Sequence, residues 1–222
     1  MSAQTATQGS APVIAVIDYG IGNLRSAEKA LQHVGAAAQL SSDPGFIAAA
    51  DAVVLPGVGA FGACMSALRS CGLEGAALDA VASGRPFLGV CVGMQMLFDG
   101  SEEDASATGL GVIPGMIEWI PAGVKRPQMQ WNQLRFNRPD DPMVAGLGEH
   151  PWMYFVHSLH GVPDDPDNVV ATCEYGGALN VAFRHGTVFA TQFHPEKSGP
   201  SGLALLANFV AAAAIVPVMS GS

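Results

Sequence analysis

Short apolar runs alternate with helical patterns through the first half of the chain, and this alternation constrains the fold more than any other feature. Four runs are predicted to be strands, at 13–18, 37–40, 52–55 and 86–90. Helical spacing of apolar residues predicts helices at 23–34, 60–71 and 73–82, and another that starts after Cys91 and runs through Leu97. Strands that are apolar on both faces need helices on both sides of their sheet. The sequence therefore predicts an α/β fold with a doubly wound, mostly parallel sheet.

The second half of the chain has a different pattern. Between 109 and 190 the apolar runs are shorter, and Gly, Pro and aromatic residues are frequent, which predicts an added antiparallel portion. Residues 187–193 are predicted to return to the sheet before a terminal helix at 201–215. The polar stretch 101–104 is predicted to be a loop inside the domain. We expect a flexible tail at 1–12, a single domain at 13–218 and a second tail at 219–222.

Charge and cysteine content exclude several classes of function. Ten Lys and Arg against nineteen Asp and Glu give a net charge of −9, and no basic stripe is present, so nucleic acid and anionic membranes are not expected partners. The longest apolar stretch, 203–216, is shorter than the roughly 20 residues of a membrane span. No secretory signal is expected at the N-terminus. The four cysteines lack zinc-type spacing, which favours free thiols in the cytoplasm and no structural metal.

The stretch from Gly89 to Gly93 has the pattern of a nucleophile elbow, G-x-C-x-G between an apolar strand and a helix. Such an elbow places its nucleophile, here Cys91, at a strained turn, and the flanking glycines let that turn pack closely. The N-terminus of the following helix favours a thiolate over a thiol. The alternative is a buried core cysteine, which is the commonest role of a free cysteine.

A thiol nucleophile needs a base, and the base needs a group that orients it. His194 and Glu196 lie two residues apart on an extended segment, so their side chains project to the same face. His157 and His160 are alternative bases, but neither has a carboxylate two residues later. Their H-x-x-H spacing also allows a zinc site, although no third ligand is apparent, and a structural role is favoured over it.

Two backbone segments could form an oxyanion hole. The N–H group of Val92 follows the nucleophile directly, and the glycine-rich loop at Gly57, Val58 and Gly59 follows a predicted strand of the same sheet. Glycine lets such a loop turn its N–H groups toward a ligand. An ordinary loop at the end of a strand is the alternative interpretation.

The elbow, the glycine loop and the His-x-Glu pair together resemble the class I glutamine amidotransferases. Four longer stretches are similar, more narrowly, to the glutaminase subunits of imidazole glycerol phosphate synthases, and the similarity extends from 13 to 209. The stretches are DYGIGNL at 18–24, LPGVGAF at 55–61, YFVHS at 154–158 and FHPEKSG at 193–199.

This resemblance implies a catalytic triad in which Cys91 attacks the side-chain amide of glutamine, His194 is the base and Glu196 orients it. No cofactor is implied. The ammonia would pass to a (β/α)8-barrel cyclase subunit of histidine biosynthesis, which carries the phosphosugar chemistry for which this chain lacks a phosphate cradle.

The resemblance also implies binding residues. The amino-acid end of glutamine would be held by Gln95, by Ser158 and by the backbone at Gly59. The positions that would face the cyclase are Asn23, Ser26, Trp131, Asn132, Tyr154 and Lys197.

The sequence departs from the family pattern near this partner-facing surface. Where the family usually has Pro-His-Met-Gly-Trp-Asn, residues 127–132 contain Gln128 and Gln130 in place of the His and the Gly. Leu159 replaces the aromatic residue that often follows Ser158, and Val92 replaces a leucine. These departures leave the triad residues unchanged. They do not allow the backbone shape of the interface loop or its partner contacts to be predicted from the family pattern.

Three other functions remain open at this stage. One is a glutaminase that serves a different ammonia-using synthase, such as the synthase of pyridoxal phosphate. Another is a catalytically silent scaffold, against which the intact triad argues. The third is a cysteine-dependent ester hydrolase, whose triad acid usually precedes the histidine by many residues, whereas Glu196 follows His194.

Overall fold

The computed structural model describes residues 10–215, so the predicted tails lie largely outside the described part of the chain. The elements of the first half are β1 Val13–Ile17, α1 Leu24–His33, β2 Ala37–Ser41, α2 Pro44–Ala49, β3 Ala52–Gly57, α3 Phe61–Ser70, α4 Glu74–Ala82, β4 Phe87–Cys91 and α5 Val92–Gln95. The predicted alternation of strands and helices is confirmed. The sequence analysis missed α2, whose start is marked by Pro44 and by Asp43, a capping carboxylate that accepts the N–H of Gly45.

The second half is mainly strands, as predicted. Its elements are β5 Gly100–Ser101, β6 Asp104–Thr108, β7 Gly115–Trp119, β8 Gln128–Gln133, β9 Arg135–Phe136, β10 Trp152–His157, β11 Leu159–Pro163, β12 Val169–Glu174, β13 Ala178–His185, β14 Val188–Thr191 and α6 Gly199–Ile215. The stretch 101–104, predicted to be a loop, has its turn at residues 102–103, whereas Ser101 and Asp104 are a pair of strand residues that belong to β5 and β6.

An eight-stranded sheet organises both halves, in the order β2-β1-β3-β4-β14-β13-β12-β9. The first five strands in that order run parallel, and β13, β12 and β9 extend the sheet with antiparallel pairs. The return of β14 beside β4 confirms the prediction for 187–193. It also brings the segment after β14 next to the segment after β4, because parallel neighbours end at the same edge of a sheet.

Two smaller sheets cover this edge. One pairs β8 with β10, and the other has the order β11-β7-β5-β6. Every residue of β3 and of β4 is buried, as the continuous apolar runs require. Buried apolar residues of both halves form one continuous core, to which each fully buried Val, Leu, Ile or Phe side chain contributes about 1.5–3 kcal/mol. Within residues 10–215, no helix has the length and apolarity needed to cross a membrane.

Candidate active site

Cys91 is the last residue of β4, and its backbone conformation is unusual. It has φ 55° and ψ −116°, and it is the one non-glycine residue with a positive φ in the described part of the chain. A conformation of this kind costs on the order of 1–3 kcal/mol. The flanking glycines make the turn possible, since a Cβ atom on Gly93 would collide with the carbonyl oxygen of Leu55, and one on Gly89 would lie 2.7 Å from Leu97. The sequence pattern is therefore a packing requirement of this turn.

The helix after the elbow is shorter than predicted. It covers only Val92–Gln95, and the chain continues through tight turns to Phe98 instead of extending the helix through Leu97. A single helical turn supplies only part of the dipole of a longer helix. Individual N–H groups near the sulfur therefore contribute more to the electrostatic potential at Cys91 than the dipole of this short helix does.

His194 and Glu196 form a buried pair after β14, where Glu196 lies in a 3₁₀ turn at Pro195–Lys197 and not on the extended segment predicted from the sequence. Nδ1 of His194 lies 2.8 Å from Oε1 of Glu196, and both side chains are at most 5% exposed. Nε2 of His194 is buried and has no hydrogen-bond partner within the protein. Burial alone would lower the pKa of His194, but interactions with Cys91 and Glu196 outweigh it and raise that pKa to about 9.

Cys91 and His194 border the same open cleft, whose volume is about 420 Å³. The residues that line it are Val58, Gly59, Cys91, Val92, Gln95, Glu103, Pro127, Val156, His157, Ser158, Leu159, Gln192, His194 and Lys197. All three residues expected to hold the amino-acid end of glutamine, Gln95, Ser158 and Gly59, are among them. The cleft lies at the carboxyl ends of the parallel strands, where open α/β sheets bind ligands.

Gln192 is a residue of the site that sequence reasoning missed. Its fully buried carboxamide donates through Nε2 to Sγ of Cys91 at 3.8 Å and accepts at Oε1 from Gln95 at 3.0 Å. The available signal was its place two residues before His194, although residues 192–193 form a bend in the structure. Gln192 therefore links Gln95 to the nucleophile.

Glu103 was also missed, because its polar stretch was interpreted only as a loop. Its carboxylate accepts the N–H of Phe61 at 2.6 Å and borders the cleft. No other carboxylate lines the described cleft, so Glu103 is the group there that best suits an ammonium ion.

The glycine loop is divided between two surfaces. Val58 and Gly59 line the cleft together with Val92, whereas Gly57 borders a small pocket behind the elbow. A Cβ atom on Gly57 would lie 2.6 Å from the backbone nitrogen of Gly93, so this glycine serves the close packing of β3 against the elbow. The two segments expected to form an oxyanion hole thus meet, but Gly57 is set back from the cleft.

One hydrogen bond holds the glycine loop in one of the orientations that its glycines allow. The carbonyl group of Val58 accepts from Sγ of Cys64 at 3.2 Å, and Gly59 has a φ of +91°. Because the N–H of Gly59 belongs to the same peptide group, it points away from Cys64. The orientation of this peptide therefore depends on the buried thiol of α3.

The alternative base His157 lies in the cleft wall with both ring nitrogens engaged. Nδ1 lies 2.7 Å from the carbonyl oxygen of Leu159, and Nε2 lies 2.9 Å from the side chain of Gln128. Burial lowers the pKa of His157 to about 4. Within residues 10–215, no three His, Cys, Asp or Glu side chains come together as metal ligands would, so His157 and His160 lack a third ligand there.

The buried His157 makes the stability of the protein sensitive to acid. Its pKa is about 4 in the folded chain and about 6.5 when unfolded, so the unfolded chain binds more protons between these pH values. We expect His157 to reduce the free energy of unfolding by about 3 kcal/mol as the pH falls from 6.5 to 4. Chemical denaturation at each pH measures this. The difference between wild type and His157→Gln should shrink by that amount, whereas the exposed His185→Gln control should show a constant difference.

Three of the predicted partner-facing residues lie beside the catalytic segment. The ring of Trp131 packs edge-on against that of Tyr154, with centroids 6.0 Å apart, and the carbonyl of Tyr154 accepts the N–H of His194 at 3.1 Å. Lys197 is exposed at the rim of the cleft. Trp131 thereby connects to the backbone of His194 through a single residue.

The other predicted partner-facing residues are held by local contacts. Asn23 precedes α1 and borders the small pocket with Glu196; its side chain accepts from Ser26 at 2.8 Å and does not cap a backbone N–H group. Asn132 donates to the carbonyl group of Glu174 at 2.9 Å.

Comparison with known proteins connects this geometry to a family. The family model for glutamine amidotransferase class-I matches residues 15–213. The imidazole glycerol phosphate synthase subunit HisH of Synechococcus sp. (strain JA-3-3Ab) is 50% identical over 200 residues, covering 89% of this chain and 92% of that protein. The HisH subunit of Salinibacter ruber is 48% identical over 203 residues, with 88% and 93% covered.

Solved structures share the fold. A chain in the structure of PurLQS from Thermotoga maritima superimposes with a TM-score of 0.73 at 21% identity, covering 90% of this chain and 98% of that one. A chain from a crystal structure of glutamine amidotransferase gives a TM-score of 0.71 at 22% identity, with the same coverage. At this identity the likeness concerns the fold alone.

Proposed function

Because the chain belongs to the class I glutamine amidotransferase family, we propose that Cys91, His194 and Glu196 hydrolyse glutamine to glutamate and ammonia. Within that family it is a HisH-type glutaminase subunit of imidazole glycerol phosphate synthase. The observation that carries the proposed chemistry is the shared cleft of Cys91 and His194, together with the 2.8 Å contact from His194 to Glu196.

The reaction begins from a pair in which the proton of the Cys91 thiol is held on Nε2 of His194, because the raised pKa of His194 keeps its ring protonated at neutral pH. The sulfur then attacks the side-chain carbonyl carbon of glutamine, and the N–H groups of Val92 and Gly59 stabilise the oxyanion, a contribution of about 2.7–4 kcal/mol per donor. His194 returns the proton to the departing nitrogen, which leaves as ammonia and a glutamyl thioester remains. Water, deprotonated by the same His194, cleaves the thioester to glutamate and restores the thiol.

Two charges of the triad suit this sequence of steps. The pKa of about 9 for His194 lets the ring hold the proton taken from sulfur, and Glu196 balances the resulting positive charge. The Glu196 contact also fixes which ring nitrogen faces the cleft, so Nε2 addresses the sulfur.

Substrate binding follows from the polar groups of the cleft wall. Glu103 offers a carboxylate to the α-ammonium group of glutamine, and Ser158 and the backbone at Gly59 offer further polar groups to the amino-acid end. The carboxamide of Gln95 uses its nitrogen for Gln192, which leaves its carbonyl oxygen for the substrate.

The ammonia is passed to a cyclase partner of the (β/α)8-barrel type. At neutral pH free ammonia is mostly protonated and no longer nucleophilic, so direct transfer between subunits is favoured. The exposed Trp131 offers the partner a surface that packs against Tyr154, whose carbonyl group accepts the N–H of His194. The four free thiols suit a complex in the cytoplasm.

The proposal is tested by measuring glutamate formation with and without the cyclase and its nucleotide substrate. We expect the chain alone to hydrolyse glutamine poorly, because the glycine loop can hold its N–H groups in either orientation, and the complex to be at least about tenfold faster. Equal turnover would contradict partner activation. Co-purification with a lyase-type synthase would favour the alternative glutaminase of pyridoxal phosphate synthesis.

The contact residue is tested in the same assay. Trp131→Ala should raise the cyclase concentration needed for half-maximal stimulation about tenfold or more, since exposed tryptophans are common anchors of interfaces. Trp152→Ala is the matched control, because Trp152 is similarly exposed on the same two-stranded sheet but pairs with Gln133, two positions from the pair of Trp131 and Tyr154. Equal effects of the two substitutions would contradict a specific role for Trp131.

A further inference from the structure

Gln128 is a buried polar residue on a strand that is otherwise largely exposed. Its side chain is 0% exposed, whereas Met129 and Trp131 of the same strand, β8, are 63% and 47% exposed. A carboxamide has two N–H donors and an acceptor oxygen, and a buried donor without a partner costs about 1–3 kcal/mol. The partners of its hydrogen bonds therefore indicate which neighbouring groups Gln128 holds in place.

The contacts of Gln128 and His157 conflict when the amide is placed with its oxygen toward the ring. Oε1 of Gln128 lies 2.9 Å from Nε2 of His157, and the carbonyl oxygen of Leu159 lies 2.7 Å from Nδ1. Two oxygens facing both ring nitrogens require a doubly protonated ring. Burial instead keeps the ring neutral, with a pKa of about 4, and Nε2 of Gln128 is left without a partner.

Turning the amide by 180° removes the conflict without moving any other atom. The nitrogen of Gln128 then donates to the lone pair on Nε2 of His157, whose Nδ1–H donates to Leu159. The oxygen of Gln128 takes the place next to Cys173, whose thiol keeps its proton because burial raises its pKa to about 12. In this arrangement both ring nitrogens of the neutral His157 have a complementary partner.

We propose that Gln128 is a positioning residue of the glutaminase site that holds His157 as the neutral Nδ1–H tautomer and thereby fixes the cleft wall at 156–159. Gln128 can act on the cleft wall because it is the strand partner of His157. His157 is followed by Ser158, which borders the cleft. The expected effect on glutamine binding rests on the proposed function. The expected tautomer of His157 is independent of that function.

The neutral state of His157 also protects the charge arrangement of the triad. The titratable groups that act on the pKa of His157 are His160 and His194, and neither is a carboxylate. A proton on His157 would place a second positive charge near the imidazolium of His194. The N–H group of Gln128 occupies the one lone pair that could accept that proton, which also removes His157 as a competing base.

The tautomer is read directly by nitrogen NMR of the histidine rings in the full-length chain, with His157→Asn used to assign the signals. We expect His157 to be a neutral Nδ1–H ring throughout pH 6–8, whether or not substrate is present. An imidazolium or an Nε2–H tautomer in wild type would overturn the proposal. Gln128→Glu should convert His157 to an imidazolium at pH 7, because a carboxylate accepts a hydrogen bond from Nε2–H and donates none.

The effect on substrate is measured as glutaminase kinetics with saturating cyclase. Gln128→Leu should raise KM for glutamine about tenfold and change kcat by less than about threefold, because the wall positions substrate and does no chemistry. Gln128→His should keep both the tautomer and KM within about threefold of wild type, since its ring also donates an N–H. The exposed Gln133→Leu on the same strand is the matched control and should change neither.

The outcomes separate the two proposals. A folded Gln128→Leu variant with unchanged KM would overturn the positioning role. Failure of that variant to fold leaves the wild-type tautomer and the Gln128→His kinetics to decide. Absence of glutaminase activity in the wild-type complex would contradict the proposed function, while the NMR result would still decide the state of His157.

Discussion

Replacing Cys91 by alanine is expected to reduce glutamine hydrolysis by the cyclase-bound protein at least about 10⁴-fold. The sulfur forms the covalent intermediate in the proposed reaction, and no other group that borders the cleft can take its place. Loss of a nucleophile from a triad removes the effect of the whole triad, since its members act as a unit. Glutamate release measured under saturating cyclase and nucleotide substrate tests this.

Two controls show that such a loss is specific to the nucleophile and leaves the cyclase reaction intact. Cys71→Ala removes an exposed thiol at the end of α3 and should leave turnover unchanged. Ammonium salts supplied in place of glutamine should restore product formation by the complex containing Cys91→Ala, because the cyclase needs only ammonia. Normal glutamine hydrolysis by Cys91→Ala would remove the enzymatic assignment and leave the silent scaffold.

Replacing Glu196 by glutamine is expected to lower kcat about 10³- to 10⁴-fold while the fold is kept. The carboxylate accepts a hydrogen bond from Nδ1 of His194 at 2.8 Å, and a neutral amide can present its N–H there and favour the wrong tautomer. Exposed Glu149→Gln is the matched control and should have no effect. A loss of less than tenfold would contradict an orienting role for Glu196.

The pH dependence of the same variant gives an independent readout. Glu196 is one of the groups that raise the pKa of His194 to about 9, so Glu196→Gln should move the deprotonation of His194 to lower pH. A raised pKa in the folded state stabilises the protein fully below about pH 6.5, and this stabilisation is lost as the pH rises through 9. We therefore expect the unfolding free energy of wild type to fall between these values and that of the variant to fall less. NMR titration of His194 and denaturation at each pH measure the two effects.

The parallel half of the fold could be predicted because burial on both faces leaves a direct mark on the sequence. Strands such as β3 and β4 are apolar at every position that the sheet covers, and the glycines around Cys91 mark a turn whose close contacts admit no side chain. The 194–196 pair was predicted from two-residue alternation along an extended segment. That premise was wrong, because Glu196 lies in a 3₁₀ turn at Pro195–Lys197, and the contact between the two side chains forms within that turn.

The remaining parts of the site depend on contacts between distant segments. Glu103 borders the cleft only because β5 and β6 form a hairpin that brings it to the N-terminus of α3, and nothing local in its polar stretch shows this. Gln192 links Cys91 to Gln95, which is 97 residues away in the sequence. The short α2 was missed because its apolar residues are too few for a periodic pattern, although its capping residues were readable.

The substitution of Gln128 for the usual histidine illustrates the same limit. The sequence shows the change and its place next to Trp131, but the consequence depends on His157 and Cys173 from two other strands. Only the folded arrangement shows that this polar side chain points into the protein rather than toward the partner.

The most direct test of the central claim is mass spectrometry of the cyclase-bound protein after incubation with a glutamine analogue that carries an electrophilic ketone in place of the side-chain amide. We expect one adduct per chain, on Cys91, that forms more slowly when glutamine competes and more slowly still in His194→Ala. Labelling of Cys64, Cys71 or Cys173 in preference to Cys91, or labelling of Cys91 at a rate that neither glutamine nor His194 affects, would contradict a nucleophile paired with a base in a glutamine-binding cleft.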